Sequence, residues 1–344
     1  MKLASVRLVH LGPFGEVTVP FTEEDGSTRA VTVLFGGGGV GKTTLLGAIA
    51  ATRPGYAVAL ATMGDDAPLV VTEWSLGDDD RERPHPLRLA TPTGRAFADD
   101  QAETIRRREQ AHFDRVAKDG GFAFLVIPST RWFSRQPIVL SAPSRTIARY
   151  DVRAPAVLDD ATRSDLARET KQALAYAAIT AALSRSKTAA PHARLGEAMA
   201  HVVDGLVALA GYSYAGVDPT SFEPTFRDED GAVIAFDALP TRARHLVAFG
   251  ALPLRTLAAA YPGKDPLDAE GVVAIDEIEL QLDAAAQDRV LGVLRGVLPR
   301  VQWIVTTASP VIAASAENRE VFALRKLPRA TEVQLFSGVE ALVH

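Results

Sequence analysis

The chain of 344 residues carries 42 acidic against 37 basic side chains, a net charge of −5, and is 47% hydrophobic. That composition describes a folded globular chain with room for a large core, as one big domain or two ordinary ones. It implies no whole-molecule attraction to nucleic acid, leaving only a local basic patch for such a role. There is no cysteine, which excludes disulfides, thiolate metal sites and cysteine nucleophiles.

The opening "MKLASVRLVHLG" alternates too regularly, and is too polar, for a signal peptide. The longest apolar run, "ALAYAAITAAL" (173–183), is too short to span a bilayer. A cytoplasmic enzyme or enzyme subunit is expected. In chain order, "KLASVRLVHLG" and "GEVTVPF" read as strands around the turn Gly12-Pro13, and "AVTVLF" (30–35) as a third. A helix is predicted from Lys42 to about Thr52, stopped by Arg53-Pro54-Gly55. "YAVALATMG" and "PLVVTEWSLG" read as further strands, residues 77–98 as a hairpin or loop, and "DDQAETIRRREQAHFDRVAKDGG" as a helix with a Gly-Gly stop. "FAFLVIP" reads as a buried strand. Helices are predicted over 159–187 and 191–211, and "PTFRDEDGAVIAF" as a hairpin about an Asp-Gly turn. "TRARHLVAFGALPLRTLAAAY" reads as a helix broken at Pro253. The strand "GVVAID", a helix over about 284–298, the strand "VQWIVTTAS" and two closing strands complete the pattern. Strands and helices alternate at both ends, while 74–235 is mixed. That predicts an α/β core split by an inserted second lobe.

The chemistry begins at "LFGGGGVGKTTLLGAI" (34–49). Gly36, Gly41, Lys42 and Thr43 fit G-x-x-x-x-G-K-[ST], between a strand and a helix. Small residues let backbone N–H groups from Gly38 to Thr43 converge on phosphates, with Lys42 reaching the terminal phosphates and Thr43 holding Mg²⁺. The following helix aims its positive end at the same place. The candidate nucleotide-binding residues are therefore Gly36, Gly37, Gly38, Gly39, Val40, Gly41, Lys42, Thr43 and Thr44. No Asn-Lys-x-Asp guanine-reading motif follows, which weakens a GTPase reading. "GGGGVGKTT" is similar to the loop of ParA/MinD-type ATPases, but their signature lysine would fall at Gly37.

"GVVAIDEIELQLD" (271–283) is an apolar strand ending in adjacent carboxylates. Two acids at the end of a buried strand are costly unless a cation or ligand uses them. Asp276 is expected to anchor Mg²⁺ through water, and Glu277 to orient the attacking water as the catalytic residue beside Lys42. "RRR" at 106–108 reads as a solvated helix face, with a phosphate backbone as the alternative. The seven histidines show no metal-ligand spacing.

"VVAIDEIELQLD" resembles the Walker B region and aspartate loop of ABC-type ATPases of the RecF/SMC/OLD group. "MKLASVRLVHLGPFGEVTVPF" resembles their N-terminal strand, and "VQWIVTTASPVIAAS" their last core strand. The resemblance covers about 1–60 and 236–325; residues 75–235 match nothing. It implies a P-loop NTPase fold of ABC-ATPase type, with lobe I at about 1–73 and 241–344 and an inserted lobe II at about 74–240. It also implies ATP and Mg²⁺ as cofactors, an ATP-dependent homodimer and a separate partner protein, with DNA as a further candidate ligand.

Two positions depart from the family pattern. Ala308 stands where the family carries its switch histidine, which predicts slow hydrolysis. Arg242, in "LPTRARHLV", stands at the signature glycine that approaches the γ-phosphate of the other subunit. Three readings fit it: a steric block, a cation supplied in trans, or a solvated arginine at a helix start. For the lobe-linking glutamine of the family Gln136 is a candidate, but a surface-loop glutamine is the favoured reading of that residue. The function expected is an ATP-driven switch acting with a partner in DNA maintenance or anti-phage defence. The alternatives are a nucleotide-binding scaffold with little hydrolysis and the ATPase subunit of a transporter.

Overall fold

The computed structural model describes residues 1–52, 68–75, 87–91, 104, 107–109, 111–113, 115, 121–138, 140, 165–184, 192–338 and 341. The strand expected at "YAVALATMG" lies outside them. Thirteen strands are described: β1 (Lys2–Leu11), β2 (Phe14–Pro20), β3 (Val31–Phe35), β4 (Leu69–Ser75), β5 (Leu87–Thr91), β6 (Phe124–Ile127), β7 (Ser213–Val217), β8 (Pro224–Arg227), β9 (Val233–Ala235), β10 (Gly271–Ile275), β11 (Val301–Thr307), β12 (Val321–Lys326) and β13 (Val333–Ser337). The longer helices are α1 (Lys42–Thr52), α2 (Ala167–Ser184), α3 (His192–Val207), α4 (Thr241–Ala260) and α5 (Ala284–Val297), with a short α6 (Pro310–Ser315).

The central sheet has the order β13-β12-β3-β11-β10-β6, parallel from β12 through β6, with β13 antiparallel at one edge. Its middle strands β10 and β11 are buried along their whole length, which is why they read as unbroken apolar runs rather than alternating ones. Successive residues feed opposite layers. Val273, Ile275, Trp303 and Val305 join the core under the helices, while Val272, Ala274 and Ile304 join the core under α1 and a second sheet.

That second sheet, β2-β1-β4-β5, is antiparallel. β4 alternates strictly between half-buried and buried positions, as one covered face requires. Trp74 from β4 packs edge-on against Phe122 and Phe124, with ring centroids 5.4 and 5.9 Å away. Gln302 of β11 ties the two sheets together. Its side-chain amide accepts from Leu3 N at 2.8 Å and donates to Leu3 O at 2.9 Å, so it stands in for a missing strand neighbour.

Helices α2, α3 and α4 cover the other face. α3 presents Leu195, Ala198, Met199, Val202, Val203 and Leu206 as one buried stripe. Its Gly196 lies where an added Cβ would sit 2.5 Å from the Ala181 Cβ, so a small residue sets the α2–α3 approach. A third sheet, β7-β8-β9, contains the predicted hairpin, with Gly231 at φ 81 in its turn. Lys171 of α2 is buried and pairs with Glu223 and Asp237, joining α2 to this sheet.

The structure differs from sequence expectation at four places. The helix predicted from 159 starts at Ala167, because Asp165 accepts from the Ala167 and Ser134 backbone N–H groups and turns the chain there. β7 was not anticipated. Residues 77–98 contribute β5, and β6 enters the central sheet beside β10, so strands within 74–240 hydrogen-bond to the sheets of the two chain ends. Pro253 does not break α4, which runs unbroken through it. Its missing N–H costs about 3 kcal/mol, and the neighbours on both sides, Phe249 to Leu254 and Leu257, are buried against α3 and the central sheet, which offsets that cost.

Candidate nucleotide site

The predicted phosphate loop and the Asp276–Glu277 pair lie just past the carboxyl ends of β3 and β10, where open parallel sheets hold ligands. The loop after β3 is braced from outside. Gly41, at φ 90, has no room for a Cβ, which would stand 2.6–2.7 Å from Pro13 and Phe14. An added Cβ on Gly36 would meet Leu324 O at 2.6 Å and Val40 Cγ2 at 2.9 Å. Thr44 packs on Gly12. The "HLGPF" turn between β1 and β2 is therefore a buttress for the glycine loop. Gly37, Gly38 and Gly39 have open space on their Cβ side, so the middle of the loop presents bare backbone.

Lys42 is only 6% exposed. Its Nζ donates to Gly36 O at 2.6 Å and Gly37 O at 2.8 Å, which holds the ammonium across the loop. Thr43 Oγ1 donates to Asp276 Oδ2 at 2.7 Å, joining the first turn of α1 to the end of β10 across 233 residues of sequence. Asp276 is fully buried, and Thr306 Oγ1 donates to its other oxygen at 2.6 Å. Thr306 Oγ1 also accepts from Glu277 N at 2.8 Å. Glu277 is half-buried and left-handed, at φ 47. A conformation disfavoured for a non-glycine residue persists only where its surroundings over-determine it.

A hydroxyl, a buried carboxylate, an ammonium and a helix N-terminus facing one glycine loop fit a nucleoside triphosphate and Mg²⁺. Among the described residues, no cluster of three or more His, Asp or Glu could hold a metal ion. The ion would need phosphate oxygens to complete its shell, as Mg²⁺ commonly does.

Three residues of this corner were not anticipated: Thr306, Glu279 and Arg131. Glu279 Oε1 accepts from the Ala308 backbone N–H at 2.7 Å, so the switch position is held through its backbone. Arg131, in the loop after β6, donates from Nη1 to Asp276 O at 2.6 Å and from Nη2 to Glu277 O at 2.8 Å. Burial lowers the Arg131 guanidinium to about 10, opposed by the carboxylates of Asp276, Glu279 and Glu277. The sequence signal was weak: an arginine three residues past a buried strand, and a threonine in "VTTAS".

Gln136 is not brought to the site. It lies on the exposed surface, with Nε2 3.4 Å from Asp165 Oδ2. Arg107 and Arg108 occupy exposed helical positions, and Arg106 lies outside the described residues. Arg242 begins α4 and is paired within its own chain to Asp283, whose other oxygen caps α5 by accepting from Ala286 N at 2.9 Å. Its side chain is 41% exposed, so within a single chain it is a solvated arginine at a helix start with an intramolecular partner.

Behind Arg131 lies His245 of α4, 3% exposed, its ring 5.1 Å from that of Phe133 and stacked on Phe249 at 6.2 Å. Burial first, then the Arg131 and Arg244 cations, pushes His245 down from 6.5 to about 3. A folded pKa below the unfolded one means that the unfolded chain binds the extra proton. The stability is therefore present above about pH 6.5 and is lost as pH falls toward 3. Urea unfolding is expected to show a loss of about 2 kcal/mol from this group between pH 7 and pH 5. His245→Leu should remove that part of the slope, and an unchanged slope would contradict the assignment.

No protein-family model matches the chain. A stretch of 61 residues is 34% identical to the Escherichia coli "Retron Ec83 probable ATPase", covering 18% of this chain and 11% of that protein. A stretch of 100 residues is 27% identical to the "Retron Vc95 probable ATPase" of Vibrio cholerae serotype O1 biovar El Tor, covering 29% of this chain and 20% of that protein. The match thus spans a fifth or less of each curated relative. Among solved structures, an SMC head bound to the C-winged helix domain of ScpA aligns over 99% of both chains, with a TM-score of 0.53 and 16% identity. An SMC head with an extended coiled coil, bound to the C-terminal domain of ScpA derived from Pyrococcus furiosus, aligns over 98% of this chain and 97% of that one, with a TM-score of 0.54 and 16% identity. At that identity the likeness speaks to the fold. The chain shares the α/β fold of these SMC heads.

Proposed function

We propose that this chain is an ATP-binding, ATP-hydrolysing switch that works with a partner protein in DNA maintenance or anti-phage defence. The observation that carries the ATPase reading is the 2.7 Å bond from Thr43 Oγ1 to Asp276 Oδ2, beside Lys42 and Glu277. It brings a phosphate loop and a carboxylate pair into one corner that a Mg²⁺–triphosphate fits. The similarity to two retron probable ATPases supports the same reading. The pathway rests on those matches and on the family resemblance.

In this reading the N–H groups from Gly38 to Thr43 and the Lys42 ammonium hold phosphate oxygens, Lys42 giving up its carbonyl partners to do so. Mg²⁺, held by Thr43 and through water by Asp276, would neutralise charge on the transferring phosphoryl group. Glu277 orients a water and takes its proton as the new O–P bond forms and the bond to the diphosphate leaving group breaks. Thr306 holds Asp276 and the Glu277 backbone in register. Steady-state ATP turnover of the purified chain, with and without DNA, tests the reading. Nucleotide binding without turnover would favour the second one, a nucleotide-operated scaffold, which Ala308 and Arg242 support.

The resemblance to RecF/SMC/OLD heads implies two heads facing each other across two nucleotides, and that assembly is proposed here, with Arg242 reaching the partner's γ-phosphate after leaving Asp283. An exposed ion pair of this kind is worth little, so it can be exchanged for a phosphate. Light scattering of Glu277→Gln is expected to show an ATP-dependent dimer. Adding Arg242→Ala should weaken that dimer about tenfold without changing monomer nucleotide affinity. If Arg242→Gly tightens it instead, the arginine is a steric block.

A further inference from the structure

We infer that Arg131 positions Glu277 for hydrolysis, with the helix that starts at the signature position as its other abutment. The inference rests on the reading of Glu277 as the hydrolytic base. Arg131 is 6% exposed and stands in the loop that follows β6, next to β10 in the central sheet. Its planar fork is divided between two consecutive carbonyls, those of Asp276 and Glu277, just where β10 has ended and strand pairing no longer satisfies them. Nη1 also donates to Pro128 O at 3.0 Å, which ties the fork to its own loop. The buried Nε has no hydrogen-bond partner. Two carbonyls can be satisfied by neutral donors or water. A buried, incompletely paired guanidinium is an expensive way to do it, and it indicates that geometry is what is being held.

The thing held is the left-handed turn at Glu277. Its N–H is fixed by Thr306 Oγ1, its carbonyl by Arg131 together with the Leu280 N–H at 3.1 Å, and the next N–H, that of Ile278, by Thr306 O at 3.1 Å. These contacts fix the peptide on both sides of the φ 47 residue, and so the direction in which its carboxylate leaves the backbone. The guanidinium carbon lies over the Phe249 ring, 5.2 Å from its centroid, and Phe249 belongs to α4. A displacement of α4, whose first turn carries Arg242, therefore reaches Glu277 through one side chain. Lysine cannot substitute, because a single ammonium lacks the planar fork that spans both carbonyls.

The test is steady-state ATP turnover of the full chain for wild type, Arg131→Met, Arg131→Lys, Phe249→Leu and Glu277→Gln. Arg131→Met is expected to lower kcat at least ~30-fold with KM for ATP changed less than ~3-fold, the signature of an interaction that matters in the transition state. Arg131→Lys should recover little of that loss. Phe249→Leu, the milder lesion should Arg131→Met fold poorly, should lower kcat ~3–10-fold at unchanged KM. The double variant Arg131→Met/Glu277→Gln should be no more than ~3-fold slower than Glu277→Gln alone, because both act on one step. Arg131→Met turning over like wild type while Glu277→Gln is inactive overturns the Arg131 assignment alone, as do multiplicative losses in the double variant or a rise in KM with kcat unchanged. Glu277→Gln turning over like wild type overturns the base assignment, and this inference with it. If wild type binds ATP without turnover, amide exchange decides. Residues 276–280 should then exchange at least ~10-fold faster in Arg131→Met, while 271–275 keep their protection; equal exchange overturns the proposal.

Discussion

Replacing Glu277 by glutamine is expected to lower ATP turnover by roughly 10²–10⁴-fold while leaving nucleotide binding intact. An amide keeps the shape and can still hydrogen-bond to water, but it cannot accept the proton that leaves as the O–P bond forms. The backbone that aims this side chain is held by Thr306 and Arg131 through main-chain atoms, so the substitution leaves that frame in place. Binding is read from the ATP-dependent rise in melting temperature, turnover from phosphate release on the same preparation. With Ala308 at the switch position the wild-type rate is itself expected to be low, so the comparison needs single-turnover conditions. A glutamine variant as fast as wild type would falsify the assignment of Glu277 as the base.

Lys42→Ala is expected to abolish the stabilisation that ATP confers. A ligand at 100 times its Kd raises unfolding free energy by about 2.7 kcal/mol, and at 1,000 times by about 4.1 kcal/mol. The alanine variant should show neither, because the ammonium is the main positive charge the loop offers to the terminal phosphates. Without nucleotide, the lysine spans Gly36 O and Gly37 O, so its removal also frees two carbonyls. A modest fall in ligand-free stability, about 1–3 kcal/mol, should accompany the loss of response. Retention of the full ATP-dependent shift in Lys42→Ala, or its absence from wild type, would contradict the placement of triphosphate in this loop.

Local chemistry is what the chain order made legible. Glycine at 36 and 41, a lysine and a threonine are required by backbone approach at neighbouring positions, so the loop could be read without knowing what packs around it. The apolar run of β10, the helix start after Asp283 and the Asp-Gly turn ending at Gly231 are likewise set by residues within a few positions of each other. Long-range pairing decided the rest. Nothing near Arg131 in the sequence says that its fork will meet carbonyls 145 and 146 residues later, whereas Gln136, five positions on, is the exposed loop glutamine that the sequence favoured. Pro253 reads as a break because its local cost is known, but burial of α4 on both sides of it depends on α3 and the central sheet. The same holds for Arg242. Its type and position are written in the sequence, but the aspartate that holds it lies 41 residues away. Only the packing of α4 beside the start of α5 brings the two charges together.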